Sequence, residues 1–298
     1  MTVRKMIALA IATATLAAVP TLSGASGIGD PICTTDDRGC QITSANAYLA
    51  SLVSHDASEI PLHPDAQRYE NGNNTGDGAE AIAAANEGAI MYVITGIRDL
   101  RWYVEGDQAV SVYLLDSLVP PSYIFERFQV NGGLIQEIEA RFYIDIPGLF
   151  VGPESVTERP EGQVERFTAS NHGPLGPVPV QEGNEGDTDP RTATTARAEV
   201  VAAVDAYLAG IDAGDSAGVP LGADVVRTVN RVVVGSGKSQ VAQSIDEADV
   251  TISDITVHVV DGDAAIVFYD QDGVLAAARI RVTEDAITEI EEVAVTSF

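Results

Sequence analysis

Cations are scarce in this chain. Its 298 residues hold 17 Lys and Arg against 44 Asp and Glu, a formal charge of -27. A nucleic-acid binder needs a basic footprint to displace phosphate counterions, so polyanionic partners are excluded. An anionic membrane surface is excluded on the same ground, because lipid headgroups are held by clusters of Lys and Arg. Cysteine occurs twice and tryptophan once. Beyond Leu22 no run approaches the ~18 continuous apolar residues of a membrane-spanning helix. What the chain does have is apolar content, 45% of its residues, which is the composition of a globular protein rather than a disordered one. At roughly 100–200 residues per domain, two domains are expected.

The N-terminus reads as an address. Arg4 and Lys5 precede an apolar run from Met6 to about Leu22, and Ser23-Gly24-Ala25 supplies small residues before a cut. That order describes a secretory signal peptide over residues 1–25. A retained anchor is the alternative; the several Thr and Pro20 in the run argue against it. The expected product is exported, either secreted or held in the periplasm or cell envelope, with no membrane contact after cleavage. Cys33 and Cys40 stand just beyond, in a segment spanning residues 26–40. In an oxidising compartment they predict a disulfide, two free thiols being the alternative. A metal site is not expected, because no His or second Cys pair stands at ligand spacing.

The sequence also repeats itself. Residues 47–82 align with 206–241 at a constant offset of 159, without a gap and with 12 of 36 columns identical. The identities include Tyr48/Tyr207, Asp56/Asp215, Pro61/Pro220, Arg68/Arg227, Asn71/Asn230 and Gly76/Gly235. The far ends match too, as Ile135–Glu139 against Ile287–Glu291. Two domains follow, 41–146 and 196–298, the second degenerate. Residues 147–195 between them are rich in Pro and Gly and read as a linker.

Each copy reads helix first, then sheet. Ile42, Ala45, Leu49, Leu52 and Val53 fall on one helical face, and Pro61 and Pro64 end that segment. Asp77 is placed to cap a second short helix, with Glu80 three residues on. Leu100, Trp102 and Val104 alternate with polar neighbours before a Gly106-Asp107 turn, and Asn131-Gly132-Gly133 joins the last two strands. Helices followed by strands joined in hairpins make an α+β domain. The stretch His55-Asp56…Leu62…Arg68-Tyr69-Glu70-Asn71-Gly72…Gly76-Asp77-Gly78, with the Ile-x-Glu-Ile-Glu ending, resembles the SnoaL-like, nuclear-transport-factor-2-like superfamily. It is similar to an uncharacterised secreted branch of it. The resemblance implies two tandem cone-shaped domains, each a curved antiparallel sheet wrapped around N-terminal helices, with a cavity at the open end. It also implies that two such domains pair through their sheets, here as an internal pseudo-dimer. Members of the superfamily include isomerases, cyclases, epoxide hydrolases, dehydratases and non-catalytic proteins, so fold does not select activity.

Eleven of the 17 aromatic residues lie in residues 41–145, which makes the first copy the better pocket candidate, a simply bulkier first core being the alternative. Tyr69, Glu70 and Asn71 form the candidate catalytic group. The resemblance places that strand beside the cavity, where an apolar surrounding raises a carboxyl pKa for acid–base work. Asn71 and Asn230 read equally as turn residues, and Glu70 as an exposed carboxylate. Trp102, Tyr103, Tyr113, Asp116, Glu126 and Arg141 are the candidate ligand-binding residues; Glu126 and Arg141 read alternatively as a cross-strand ion pair. His55 reads as a helix end and His63 as a loop residue. Val234–Ser239 imitates a phosphate-binding loop but lacks its leading glycine. The expectation is a cofactor-free binder of a small, apolar, steroid- or polyketide-like ligand, with isomerase, dehydratase or cyclase chemistry open. The alternative is a non-catalytic scaffold or protein-interaction module.

Overall fold

The computed structural model describes residues 31–117, 122–144 and 195–294. The expected signal peptide and nearly all of the expected linker lie outside the described residues. The described residues begin with a strap. Cys33 and Cys40 are joined in a disulfide. Inside its loop Asp36 accepts from the Gly132 amide at 2.7 Å, and Asp37 accepts from the Cys40 amide at 2.9 Å. Asp37 is thereby the N-cap of the first helix, α1 (Arg38–Ser54). The strap lies so close to the β-turn beneath it that a Cβ on Gly133 would meet the Cys33 carbonyl at 1.9 Å, and Gly133 itself sits at φ 77°. Only glycine fits there.

Helix α1 buries Ala45, Tyr48, Leu49, Leu52 and Val53, as its spacing predicts, and stops at His55 in the left-handed conformation. Strand β1 (Leu62–Glu70) and β2 (Asn73–Asp77) follow, then α2 (Ala79–Asn86), a 3-10 turn (Ala89–Val93), and the meander β3 (Ile94–Glu105), β4 (Gln108–Ser117), β5 (Ser122–Asn131) and β6 (Leu134–Ile144). Asp77 does not cap α2. The N-cap is Gly78 at φ 88°, while Asp77 ends β2 and accepts from the Gln67 amide at 2.7 Å.

The second copy repeats every helix and strand, without the 3-10 turn: α3 (Arg197–Ala213), β7 (Leu221–Val229), β8 (Val232–Ser236), α4 (Lys238–Asp246), β9 (Ile252–Asp261), β10 (Ala264–Gln271), β11 (Val274–Thr283) and β12 (Ala286–Ala294). The sheet orders are β2-β1-β6-β5-β4-β3 and β8-β7-β12-β11-β10-β9. These are two tandem α+β cone domains, with one amendment to an antiparallel sheet: β1 and β6 run parallel, as do β7 and β12. Strands joined by tight turns must alternate in direction. β1 and β6 are joined by the rest of the domain and are free of that constraint.

Alternation along the strands gives each sheet two buried faces. One face packs on its own helices, through Trp102, Ala109, Tyr113, Ile124, Phe128 and Ile138 in the first domain. The other packs against the second domain: Tyr103, Val110, Val112, Tyr123 and Phe125 join Val259, Ile266, Phe268 and Val293 in one apolar cluster. Polar contacts around it come in reciprocal pairs. Arg38 at the start of α1 pairs with Asp261, and Arg197 at the start of α3 pairs with Glu105. Asp261 accepts from the Val104 amide at 3.0 Å, and Glu105 from the Val260 amide at 2.9 Å. Between these pairs Glu291 receives Arg101 at 2.8 Å and Arg279 at 3.1 Å, and Arg279 also donates to the Tyr103 hydroxyl at 2.7 Å. Among the described residues no helix is long and apolar enough to cross a membrane.

Candidate functional site

The helix-facing side of the first sheet divides in two along the strands. Toward the Gly106 and Gly132 turns it is filled by aromatic packing: Phe128 lies 5.5 Å from Tyr48 and 6.0 Å from Trp102 between ring centroids. Toward the other end, where β1, β4 and β6 finish and β3 and β5 begin, it turns polar. Tyr113 donates to Glu126 Oε2 at 2.7 Å, and Glu126 is only 3% exposed. Arg68 approaches from β1. Its guanidinium donates to Thr75 Oγ1 at 3.0 Å, to Asn86 Oδ1 at 2.7 Å and to the Tyr48 hydroxyl at 3.4 Å. Asn86 is held in turn by Ser51 Oγ at 2.9 Å, so the arginine is anchored to both helices. Glu70 stands 3.7 Å from Arg68, its side chain one-third exposed. Met91, Val93, Leu115 and Phe142 pack as half-buried apolar residues at the edge of the core.

Burial dominates the electrostatics of Glu126 and pushes its carboxyl up to about 8. The hydroxyl bond from Tyr113 and the charge of Arg68 work in the other direction, and the charge of Glu70 adds to the rise. Burial and the neighbouring Glu126 also hold the Tyr113 hydroxyl well above its ordinary range. At neutral pH this pair is a protonated carboxyl beside a protonated phenol, two groups able to donate.

The second domain carries the same three side-chain types in another arrangement. Tyr269 occupies on β10 the place of Tyr113 on β4, each five residues after the start of its strand, and donates to Glu292 Oε1 at 2.8 Å. Arg227, the repeat partner of Arg68, donates to Glu292 Oε2 at 2.8 Å and to Ser244 Oγ at 3.1 Å. Burial opposes the Arg227 charge, and the Glu292 carboxylate outweighs it, so the guanidinium holds its proton more tightly than usual. The glutamate has changed strands. In the first sheet Glu126 on β5 faces Ala140 on β6; in the second Ala278 on β11 faces Glu292 on β12.

The expected site residues are therefore distributed rather than gathered. Glu126, Tyr113 and Glu70 share the helix-facing side, and Trp102 packs on it as core. Tyr69 alternates with Glu70 and projects from the opposite side of β1. Asn71 is a turn residue at φ 47°: its amide donates to the Phe142 carbonyl at 3.3 Å and its oxygen accepts the Phe142 amide at 3.0 Å. Asn230 makes the same clamp on Ala294. Tyr103, Arg141 and Asp116 lie on the other face of the sheet. Tyr103 belongs to the cluster between the domains, Arg141 pairs with Glu139 and stands 5.9 Å from the Phe268 ring, and Asp116 pairs with Arg98 at 2.7 Å. Glu126 and Arg141 are not a cross-strand pair, because Arg141 faces Phe125 and the two side chains point to opposite sides. Reading single segments missed Arg68, Tyr48 and Asn86 as site residues. The signal for the first two was the repeat itself, which keeps Arg68/Arg227 while its neighbours change, and Tyr48/Tyr207 within an unchanged Ala-Tyr-Leu-Ala. Among the described residues no group of three or more His, Cys, Asp or Glu side chains is placed to hold a metal ion.

Solved structures share this fold over about one-third of the chain. An NTF-2 like protein of unknown function from Burkholderia xenovorans LB400 is 18% identical, covering 38% of this chain and 88% of its own, with a TM-score of 0.32. An LEH-like epoxide hydrolase of M. tuberculosis is 20% identical, covering 33% and 83%, with a TM-score of 0.29. A protein from Kribbella flavida DSM 17836 is 19% identical, covering 34% and 85%, with a TM-score of 0.31. No curated protein matches the sequence. One family model matches both copies, at residues 34–142 and 193–294, and the chain belongs to that family, described as Domain of unknown function (DUF8021).

Proposed function

We propose that this is an exported small-molecule-binding protein whose first domain takes a largely apolar ligand at the polar end of its helix-facing sheet surface. Glu126 carries the reading: a carboxyl almost without exposure, bonded to Tyr113, and holding its proton up to about pH 8. A buried acid of that kind donates a hydrogen bond or a proton to a ligand oxygen, which suits cofactor-independent isomerisation, dehydration or cyclisation. Arg68 and Glu70 flank it, and the half-buried Met91, Val93, Leu115 and Phe142 supply apolar contact. In this reading Glu126 and Tyr113 take the roles that the sequence suggested for Glu70, Tyr69 and Asn71. Export rests on the N-terminal pattern, and the disulfide is compatible with it. The two domains act as an internal pseudo-dimer, a reading supported by the reciprocal Arg38–Asp261 and Arg197–Glu105 pairs.

A scaffold is the second reading, favoured by the Tyr48, Trp102 and Phe128 packing that fills the other half of the same surface. Thermal-shift screening of steroid, terpenoid and polyketide-like compounds separates the two. The binding reading expects at least one compound to stabilise the wild type and to lose its effect in Glu126→Gln. Stabilisation by none of them favours the scaffold. Equal stabilisation of both proteins removes Glu126 from the site.

A further inference from the structure

Both domains place a tyrosine, a glutamate and an arginine on the helix side of the sheet, and they differ in the strand that carries the buried glutamate; the first domain adds the half-buried Glu70, where the second has Val229. In the first domain Arg68 is on β1 and Glu126 on β5, with β6 and its small Ala140 between them. In the second Arg227 on β7 and Glu292 on β12 are neighbours in the sheet. The arginines answer accordingly. Arg68 is occupied by Asn86, Thr75 and Tyr48, with Glu70 of its own strand at 3.7 Å, whereas at the repeat position of Asn86 the second domain has Ile245, and Arg227 turns to Ser244 and Glu292.

We infer that the strand position of the glutamate decides which domain has an open acid, and that of the two domains, among the described residues, only the first has such a site. On β5, one strand beyond the arginine, the carboxyl is left for a ligand. On β12, beside the arginine, it is consumed by an internal ion pair, so the second domain holds the closed form of the same site. Asn86 is a positioning residue in this scheme, anchoring the cation on the helix side. The groups facing Glu126 are Tyr113 from β4, Arg68 and Glu70 from β1 and Tyr48 from α1, while β6 presents Ala140. Those facing Glu292 are Arg227 from β7, Tyr269 from β10 and Tyr207 from α3. An opposite charge drawn to within about 4–6 Å favours the charged carboxylate, and burial without one favours the neutral acid.

The inference rests on the binding reading for its ligand, but its test does not use one. The side-chain carboxyl carbons of the 13C-labelled full chain are titrated by NMR in the wild type and in Glu126→Gln. One carboxyl with a midpoint of about 8 is expected, and Glu126→Gln removes it. Two such carboxyls, or none, overturn the inference whatever the variants do. The exchange Glu126→Ala/Ala140→Glu, made with Glu70→Val because Glu70 faces Ala140 where the second domain has Val229 facing Glu292, is expected to abolish the neutral-range titration. The converse Ala278→Glu/Glu292→Ala is expected to add a second beside the first. Persistence in a folded first exchange, or no second titration in a folded converse exchange, overturns it as well. A ligand screen that finds nothing leaves these titrations in place, so the two readings fail separately.

Discussion

The two halves of the chain bury nearly the same polar inventory and use it in opposite ways. In the second domain Arg227, Glu292 and Tyr269 satisfy one another, and the cation has a carboxylate at 2.8 Å. In the first, Arg68 donates to neutral groups with only the half-buried Glu70 as a carboxylate, at 3.7 Å, and Glu126 has a phenol at 2.7 Å. A buried charge is tolerated when it is paired and hydrogen-bonded, and an unpaired buried acid is tolerated by keeping its proton. The second domain takes the first solution and gains a closed core. The first takes the second solution and retains a group whose protonation state lies near neutrality. The difference teaches that two copies of one fold can hold the same residue types and still differ in the strand that carries one buried carboxyl.

The sharpest break of the comparison is removal of each glutamate. Glu292→Ala leaves Arg227 buried without its counter-ion and is expected to cost about 3–5 kcal/mol. Glu126→Ala leaves only the Tyr113 hydroxyl without an acceptor, about 1–3 kcal/mol. Urea unfolding of the two variants at pH 7 measures the gap, and equal losses would show that the two glutamates are held alike.

The second contrast is with pH. The folded Glu126 carboxyl titrates at about 8 and its ordinary value is 4.5. Between those values the folded chain holds a proton that the unfolded chain releases, so this group makes stability fall as pH rises, by up to about 1.4 kcal/mol per pH unit. Glu126→Gln keeps an acceptor for Tyr113 and removes that slope. It is expected to gain on the wild type steadily from pH 5 to pH 8 in chemical unfolding. A pH-independent difference between the two proteins would refute the raised carboxyl.

Helix starts offer a smaller contrast. α1 is tied by the Cys33–Cys40 disulfide, while α3 is preceded by Thr195, whose amide donates to Asp263 at 3.1 Å. Cys33→Ser/Cys40→Ser is expected to cost about 2–3 kcal/mol through loop entropy. Hydrogen exchange is expected to quicken in α1 and not in α3.

The least effect on the comparison comes from the two turn asparagines. Each clamps the last strand of its domain with two bonds and sits at a positive φ. Asn71→Ala and Asn230→Ala are expected to cost the same, about 1–2 kcal/mol each. A loss of ligand binding in Asn71→Ala at unchanged stability would return Asn71 to the site.

Much of the fold was legible because it is written in local terms. The apolar spacing of Ala45, Leu49 and Leu52 gave α1, and Gly106-Asp107 and Asn131-Gly132-Gly133 gave the hairpins of the meander. Local terms also misled: Asp77 has the chemistry of a helix cap, but the glycine after it takes that position and Asp77 serves the sheet. The candidate site was only partly legible. Glu126 and Tyr113 were both marked, yet as members of a group with Tyr103, Asp116 and Arg141 that the sheet splits between its two faces. Alternation says which residues of one strand share a side. It does not say which side of a neighbouring strand they meet, because that depends on register.

By itself the sequence determined the duplication, the acid excess, the helix-then-meander order of each copy and the cysteine pair, since each depends on composition or on near neighbours. Only the tertiary structure decided that both faces of each sheet are buried, that β1 lies parallel to β6, and that Glu126 is beyond the arginine while Glu292 is within its reach. Those outcomes turn on the order and register of strands far apart in the chain. A shift of one strand changes a hydrogen-bond distance into a separation across a neighbouring strand, and with it the charge that a buried carboxyl can bear.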